Sequence, residues 1–363
     1  MSERSTPADE QTAAIAARFG VSTPNLAALR QDVIADYSAD EWGLSRFSAI
    51  EDITDRAVAS DLVVSSLEGA NTSLIALAVR HDQFERLLGP NGRTMPGPES
   101  TVDDYLQLVE LDICATDCFR AVGSVLDCLA ATTALVTGAP LKVQRAEGTW
   151  FFRRPDEKKR SSEPRDQATA WDSVADAVRD QGDEPAQSWL AWALEMRNAV
   201  IHRGQLLRVW LNRPSRRPRG VPPLLVKTKM DPAYLVRIEP HMRRMPWLPD
   251  MHSLTAGPRV ADLWLPEPTQ CTLRYLRDGT VRVVETAAQK LLETLHLDTA
   301  GWAWPAAAWD LARRDDGWRI EMAAQFKGFE PSYPTPPPSQ LRLHRDSAVR
   351  AELAQKLLRS RDL

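Results

Sequence analysis

Apolar positions recur along this chain mostly at three- and four-residue steps, the interval that lines one face of an α-helix. From Asp61 to about Leu88 the pattern predicts a helix that ends at Gly89-Pro90, because proline cannot continue one. Pro90 to Ser100 reads as a Gly/Pro loop. Val102 to about Val136 reads as one long helix, with Leu106, Val109, Ile113, Phe119, Val122, Leu126, Leu129 and Leu135 on its apolar steps. It stops at Gly138-Ala139-Pro140. Leu141 to Arg165 is a charged connector in which Gly148-Thr149-Trp150-Phe151-Phe152 suggests a short strand. Asp166 to about Asp180 predicts a short helix bounded by Gly182, and Glu184 to about Leu211 another.

Beyond Pro214 the texture turns Pro-rich and irregular as far as Pro268. Thr269 is placed to cap a further helix to about Leu295, although Asp278-Gly279 also has the chemistry of a hairpin turn. Trp302, Trp304, Trp309 and Trp318 form a Trp-rich segment, Pro331 to Pro338 a Pro-rich linker, and Ser347 onward a short terminal helix. The expectation is a mainly α protein. It has an N-terminal helical segment (1–60), a helical bundle (61–212) and a partly irregular, Pro/Trp-rich C-terminal extension (213–363).

Composition agrees with a substantial core: 363 residues, 43% hydrophobic and 26% charged. No uninterrupted run of about 18 apolar residues occurs, so no membrane span is expected. The start, Met1-Ser2-Glu3-Arg4, lacks a basic segment followed by an apolar one, which argues against a secretory signal. Three of the four cysteines, Cys114, Cys118 and Cys128, fall within one predicted helix, and the fourth is Cys271. That is no disulfide framework, and a reducing, cytoplasmic setting fits it. Cys114 and Cys118 lack a second ligand pair and read as small core thiols rather than metal ligands.

Charge is unevenly spread. Residues 1–112 carry 19 acidic and 8 basic side chains, a balance of −11, which leaves +7 for the remainder of a chain whose net charge is −4. Met196 to Met230 holds nine basic residues (Arg197, Arg203, Arg208, Arg213, Arg216, Arg217, Arg219, Lys227, Lys229) and no acidic one. Such a stretch is an electrostatic footprint for a polyanion.

The basic stretch opens with Arg197-Asn198-Ala199-Val200-Ile201-His202, inside a predicted helix. At roughly 100° per residue, Trp189, Ala193, Met196, Val200, Gly204, Leu207 and Leu211 form a narrow core stripe. Asn198 and His202 lie nearly opposite it, and Arg197 on its flank. Arg197 and His202 diverge by roughly 140° on one helix. Two such helices packed about a two-fold axis would gather two of each around one cleft.

An R-N-x-x-x-H run late in a bundle of long helices resembles the HEPN superfamily (higher eukaryotes and prokaryotes nucleotide-binding). The resemblance covers roughly Asp61 to Leu211. It implies a helical bundle that dimerises around a composite site, and a metal-independent endoribonuclease used as a toxin, in anti-phage defence or in RNA processing. Arg197 and His202 would then be the catalytic pair and Asn198 the supporting polar residue; the basic stretch, not the resemblance, nominates Arg203, Arg208, Arg213, Arg216, Arg217 and Arg219 to bind RNA. No cofactor or metal is implied. The partners are RNA, a second copy and an antitoxin or regulatory protein, with no membrane. These residue types suit the chemistry, because RNA supplies its own 2′-OH nucleophile. An imidazole moves protons near neutral pH, and an arginine stabilises charge developing on phosphate.

Other readings stay open. The bundle could be a non-catalytic scaffold for RNA or protein. Ala13 to Arg30 resembles a helix-turn-helix whose second helix offers Asn25, Arg30 and Gln31 to DNA, against a small helical hairpin packed on the bundle. The tryptophans could stack bases or form satellite core. Glu68 and Asp127 are candidates to face the motif helix. His81, His241, His252, His296 and His344 lack metal-ligand spacing, and no phosphate-binding glycine loop occurs.

Overall fold

The computed structural model describes residues 18–19, 21–39, 44–51, 53–89, 101–155, 163–183, 189–202, 206–209, 223–229, 260–299, 301–302 and 304. Among these, six α-helices carry the frame: α1 (Pro24–Ala39), α2 (Ile53–Leu88), α3 (Val102–Val136), α4 (Arg165–Asp183), α5 (Trp189–His202) and α6 (Thr269–Leu295). Three short strands, β1 (Leu206–Val209), β2 (Pro223–Lys229) and β3 (Val260–Pro268), pair antiparallel in that order, and β3 leads straight into α6. The described chain is thus mainly helical.

The ends of α3 fall where the sequence places them. Thr101 and Asp104 form a capping box: the Asp104 amide donates to Thr101 Oγ1 at 3.3 Å and the Thr101 amide to Asp104 Oδ2 at 2.9 Å. Such a cap contributes roughly 0.5–2 kcal/mol. Gly138 (φ 65°) follows the last turn of α3, and Gly89 (φ 69°) that of α2, in the left-handed conformation that ends helices. α2 starts at Ile53, eight residues before Asp61, because Ala57 and Ala59 carry its buried face back toward the N-terminus.

α2 and α3 run antiparallel. Gly69 faces Cys128, and farther along Arg80 pairs with Asp117 at 3.3 Å. α6 runs alongside α2 in the opposite sense, with Arg277 by His81 and Arg274 on Glu85. One apolar cluster joins Leu26 and Leu29 of α1, Leu67 and Leu74 of α2, Phe119 and Leu126 of α3, Trp171 of α4, Met196 of α5 and Val283 and Leu291 of α6. The helix expected in the C-terminal extension is therefore part of the bundle core.

Three local expectations are corrected. Gly148–Phe151 is a 3-10 turn, not a strand: the Phe152 amide donates to Thr149 O at 3.0 Å, so the segment satisfies its own backbone. Asp278-Gly279 makes no hairpin and lies inside continuous α6. Gly279 serves close packing there, since a Cβ would stand 2.7 Å from Trp189 Cζ2. The motif helix ends at His202 instead of reaching Leu211. Leu206–Val209 pairs as a strand with β2 (Leu206 with Lys227, Val209 with Leu224). Gly204 costs a continuing helix about 1 kcal/mol, and the strand ladder offers the following backbone groups other partners.

Arg46 ties the far end of the bundle together. Its Nε donates to Val136 O at 2.6 Å, and its Nη1 to Thr294 O at 2.7 Å and Leu295 O at 3.2 Å. One buried guanidinium thus serves the carbonyl ends of α3 and α6, where a cation also suits the helix dipoles. Trp302 lies over it at 4.7 Å and Trp304 at 5.9 Å, while Trp304 meets Phe47 edge-on at 5.0 Å. These two tryptophans are satellite core. Trp309 and Trp318, the Pro331 to Pro338 linker and the helix from Ser347 lie outside the described residues.

Asp55–Leu88 and Val102–Val136 each contain an 18-residue window apolar enough to cross a membrane by length and composition, 44% and 72% buried in the bundle respectively. Scattered polar residues keep these windows from forming one unbroken apolar run. Most of the α3 window serves the core.

Candidate functional site

α5 lies along α3, fixed at its start by Trp192, whose ring meets Phe119 edge-on at 5.4 Å. Farther along, Arg197 reaches α3 where Gly123 leaves room for it. A Cβ on Gly123 would lie 2.6 Å from Arg197 Nε, 2.8 Å from Cγ and 2.9 Å from Cδ. One turn beyond Gly123, Asp127 receives the guanidinium: Arg197 Nη2 donates to Asp127 Oδ2. Arg197 Nη1 donates to Asn198 Oδ1 at 2.9 Å. The other carboxylate oxygen, Asp127 Oδ1, accepts the Gly148 amide at 2.8 Å. Gly148 is itself confined, since a Cβ there would lie 2.5 Å from Leu126 Cβ.

Three elements therefore converge on one carboxylate: α3 supplies Asp127, α5 supplies Arg197 and Asn198, and the turn at Gly148 supplies an amide. The Arg197 and Asp127 side chains keep 16% and 22% exposure, so one edge of the pair is open. Burial pushes the Asp127 carboxyl above the ordinary carboxylate range, while the Gly148 amide and Arg197 pull it back. Among the described residues, Arg197 Nε is buried with no hydrogen-bond partner. The guanidinium is oriented by two acceptors and still has donor capacity left.

Of the sequence-predicted residues, Arg197 and Asn198 are in direct contact. Asn198 is half-buried rather than on the free side of α5, because Leu190, Trp192, Ala193, Leu194 and Met196 are all buried and the buried arc is wider than one stripe. His202 closes α5. Arg208 falls on β1, opposite Leu225 of β2. Arg203, Arg213, Arg216, Arg217 and Arg219 lie outside the described residues.

Of the two acidic candidates, Asp127 faces the motif helix. Glu68 instead takes Arg30 of α1, whose Nε donates to its Oε1 at 2.9 Å. Asn25 is likewise engaged: its amide donates to Glu285 Oε2 at 2.9 Å, and its Nδ2 to Glu285 O at 3.3 Å. α1 thus packs on α2 and α6 through two of the side chains the helix-turn-helix reading offered to DNA. Residues 1–17 lie outside the described residues.

Among the described residues no group of three or more His, Cys, Asp or Glu is arranged to hold a metal ion. Cys114 and Cys118 are buried on α3, and burial raises both thiols. No family model, curated protein or solved structure matches this chain.

Proposed function

We propose that this chain is a metal-independent endoribonuclease of the HEPN type, acting as a toxin or anti-phage effector. The observation that supports it most is the oriented guanidinium of Arg197, held by Asp127 and Asn198 on the helix that ends in His202. An arginine fixed before the substrate arrives stabilises developing phosphate charge without reorganising. In the reaction, the 2′-OH loses its proton to a base and its oxygen bonds to the adjacent phosphorus. The P–O5′ bond breaks, and the leaving 5′-oxygen gains a proton. The products are a 2′,3′-cyclic phosphate and a 5′-OH. His202 is the proton-transfer group, Arg197 the phosphate-charge stabiliser and Asn198 the residue that orients Arg197. The divergence of Arg197 and His202 around α5 makes a two-fold dimer with a composite cleft the working form, and the basic residues after His202 the RNA track.

The test incubates total RNA in EDTA with wild type and His202→Ala, with the cut ends mapped and both proteins checked by circular dichroism. Cleavage leaving 2′,3′-cyclic phosphates, lost in His202→Ala, is the expected result. Cleavage that needs a divalent ion, or that survives His202→Ala, would overturn the proposal. Growth arrest on expression, relieved by the same substitution, tests the toxin role.

One observation favours a second reading, a non-catalytic RNA- or protein-binding scaffold. Arg197 fills the gap at Gly123 and pairs with a half-buried carboxylate, which is also how an arginine holds two helices together. RNA binding without cleavage by the wild type supports that reading.

A further inference from the structure

The N-terminal part of α3 carries exposed apolar residues, and its buried face begins at Leu111. Leu111, Cys114, Ala115 and Cys118 are buried toward the bundle. On the opposite side Val102, Tyr105, Leu106, Val109 and Ile113 are 74%, 50%, 54%, 52% and 47% exposed. Val102, Leu106, Val109 and Ile113 follow steps of four, three and four residues, the spacing of a coiled-coil seam. They make a straight stripe about 16 Å long at 1.5 Å per residue. Isolated exposed apolar side chains are ordinary, but a continuous row aligned on one helix marks an interaction surface.

The borders of the row define the partner. By helical angle Asp103 and Glu110 flank one side of it and Asp112 the other. From Thr101 to Phe119 the chain has five acidic residues and no lysine or arginine. The stripe stops where Arg120 takes its place, 52% exposed and paired with Asp117. Of the nearby cations of α2, Arg86 pairs with Asp82 at 2.9 Å, and Arg80 shares Asp117 with Arg120, at 3.3 Å. An apolar seam with acidic edges complements an apolar seam with basic edges. It repels a second copy of itself, since antiparallel pairing would set acidic borders against acidic borders.

We propose that this stripe docks an amphipathic helix of a second protein, apolar at the same spacing and edged with lysine or arginine. This surface is separate from the Arg197 site: Asp127 lies 14 residues beyond Ile113, about 21 Å farther along α3. The inference therefore stands whether or not the chain cuts RNA.

The test uses the full chain and two labelled synthetic helices, each with a leucine seam, one edged with lysine and the other with glutamate. Anisotropy titration should show saturable binding of the lysine-edged helix only, weakening as salt rises. Leu106→Ser combined with Val109→Ser should weaken binding about tenfold or more, with unchanged circular dichroism because both positions are solvent-exposed. Asp103→Lys combined with Glu110→Lys should switch the preference to the glutamate-edged helix. Failure of the lysine-edged helix to bind, equal binding of both helices, or binding unchanged in the serine variant would overturn the proposal. A wild-type dimer that becomes monomeric in the serine variant would assign the stripe to a second copy. Binding to phosphatidylcholine vesicles that the serine variant loses would assign it to lipid. Either outcome also overturns it.

Discussion

Gly123 and Arg197 share one space: the position a Cβ would take on Gly123 is 2.6 Å from Arg197 Nε. In Gly123→Ala the arginine must therefore shift while still tethered to Asp127. Overpacking costs about 1–3 kcal/mol and alanine returns about 1 kcal/mol of helix propensity, so a net loss of up to about 2 kcal/mol is expected in urea denaturation. In an Arg197→Ala background the same substitution should stabilise instead. A loss of equal size in both backgrounds would show that Arg197 is not what fills the gap.

Asp127 gathers two donors, so its substitutions should differ in degree. Asp127→Ala leaves the Arg197 charge and the Gly148 amide without their acceptor and should cost about 3 kcal/mol. Asp127→Asn keeps one carbonyl oxygen but sets its NH2 against the other donor, and should cost about 2 kcal/mol. If the chain cuts RNA as proposed, the Asn variant should still lose activity, because a neutral amide holds the guanidinium less firmly. An Asn variant as active as wild type would show that this orientation is dispensable.

His81 is buried on α2, with Arg277 Nη1 3.3 Å from its Nδ1 and Glu85 Oε1 3.7 Å from its Nε2. Burial lowers its pKa; Glu85 and Asp278 push it back up, while Arg277 and Arg274 lower it further. The folded protein thus resists protonating a group that the unfolded chain protonates near pH 6.5. Stability from the neutral ring is present above that pH and is lost as pH falls through the lower folded value. Chemical denaturation from pH 7.5 to 5 should show this decline, and His81→Gln should flatten it. An unchanged slope in the variant would place its source elsewhere.

Arg46→Lys should behave as a severe substitution. Burial lowers the guanidinium to about 10, which still leaves it charged at neutral pH. A lysine cannot reach the carbonyls of Val136 and Thr294 together from one planar group, nor stack as well on Trp302. A loss of about 2–4 kcal/mol is expected in thermal unfolding. A shift under about 0.5 kcal/mol would mean that the two helix ends hold without it.

The bounds of α3 were legible because periodicity and Gly138 agree on them, while the Thr101 capping box that fixes its start came to light only in the structure. The end of α5 was not. Gly204 was the warning, but the competing partner for Leu206–Val209 lies in β2, some twenty residues away, beyond the reach of a local pattern. Arg197 and Asn198 could be singled out by type, whereas Asp127 could only be nominated, since 70 residues separate it from Arg197. Two glycines inside helical runs carried unused information. Gly123 and Gly279 each mark where a large side chain of α5 presses on another helix. The polar pattern also puts Asn198 on a free face, because one stripe of apolar residues implies one buried side, whereas several neighbours surround α5.

α6 follows the other five helices in the chain, yet Leu273, Leu276, Val283, Ala287 and Leu291 lie in the shared core. During synthesis the earlier helices therefore leave the ribosome with that groove bare, and the core closes only after Leu295 has emerged. A fragment cut after position 212 would expose the same groove permanently. It should be recovered as aggregate or chaperone-bound chain, and a separately supplied 260–304 peptide should rescue it.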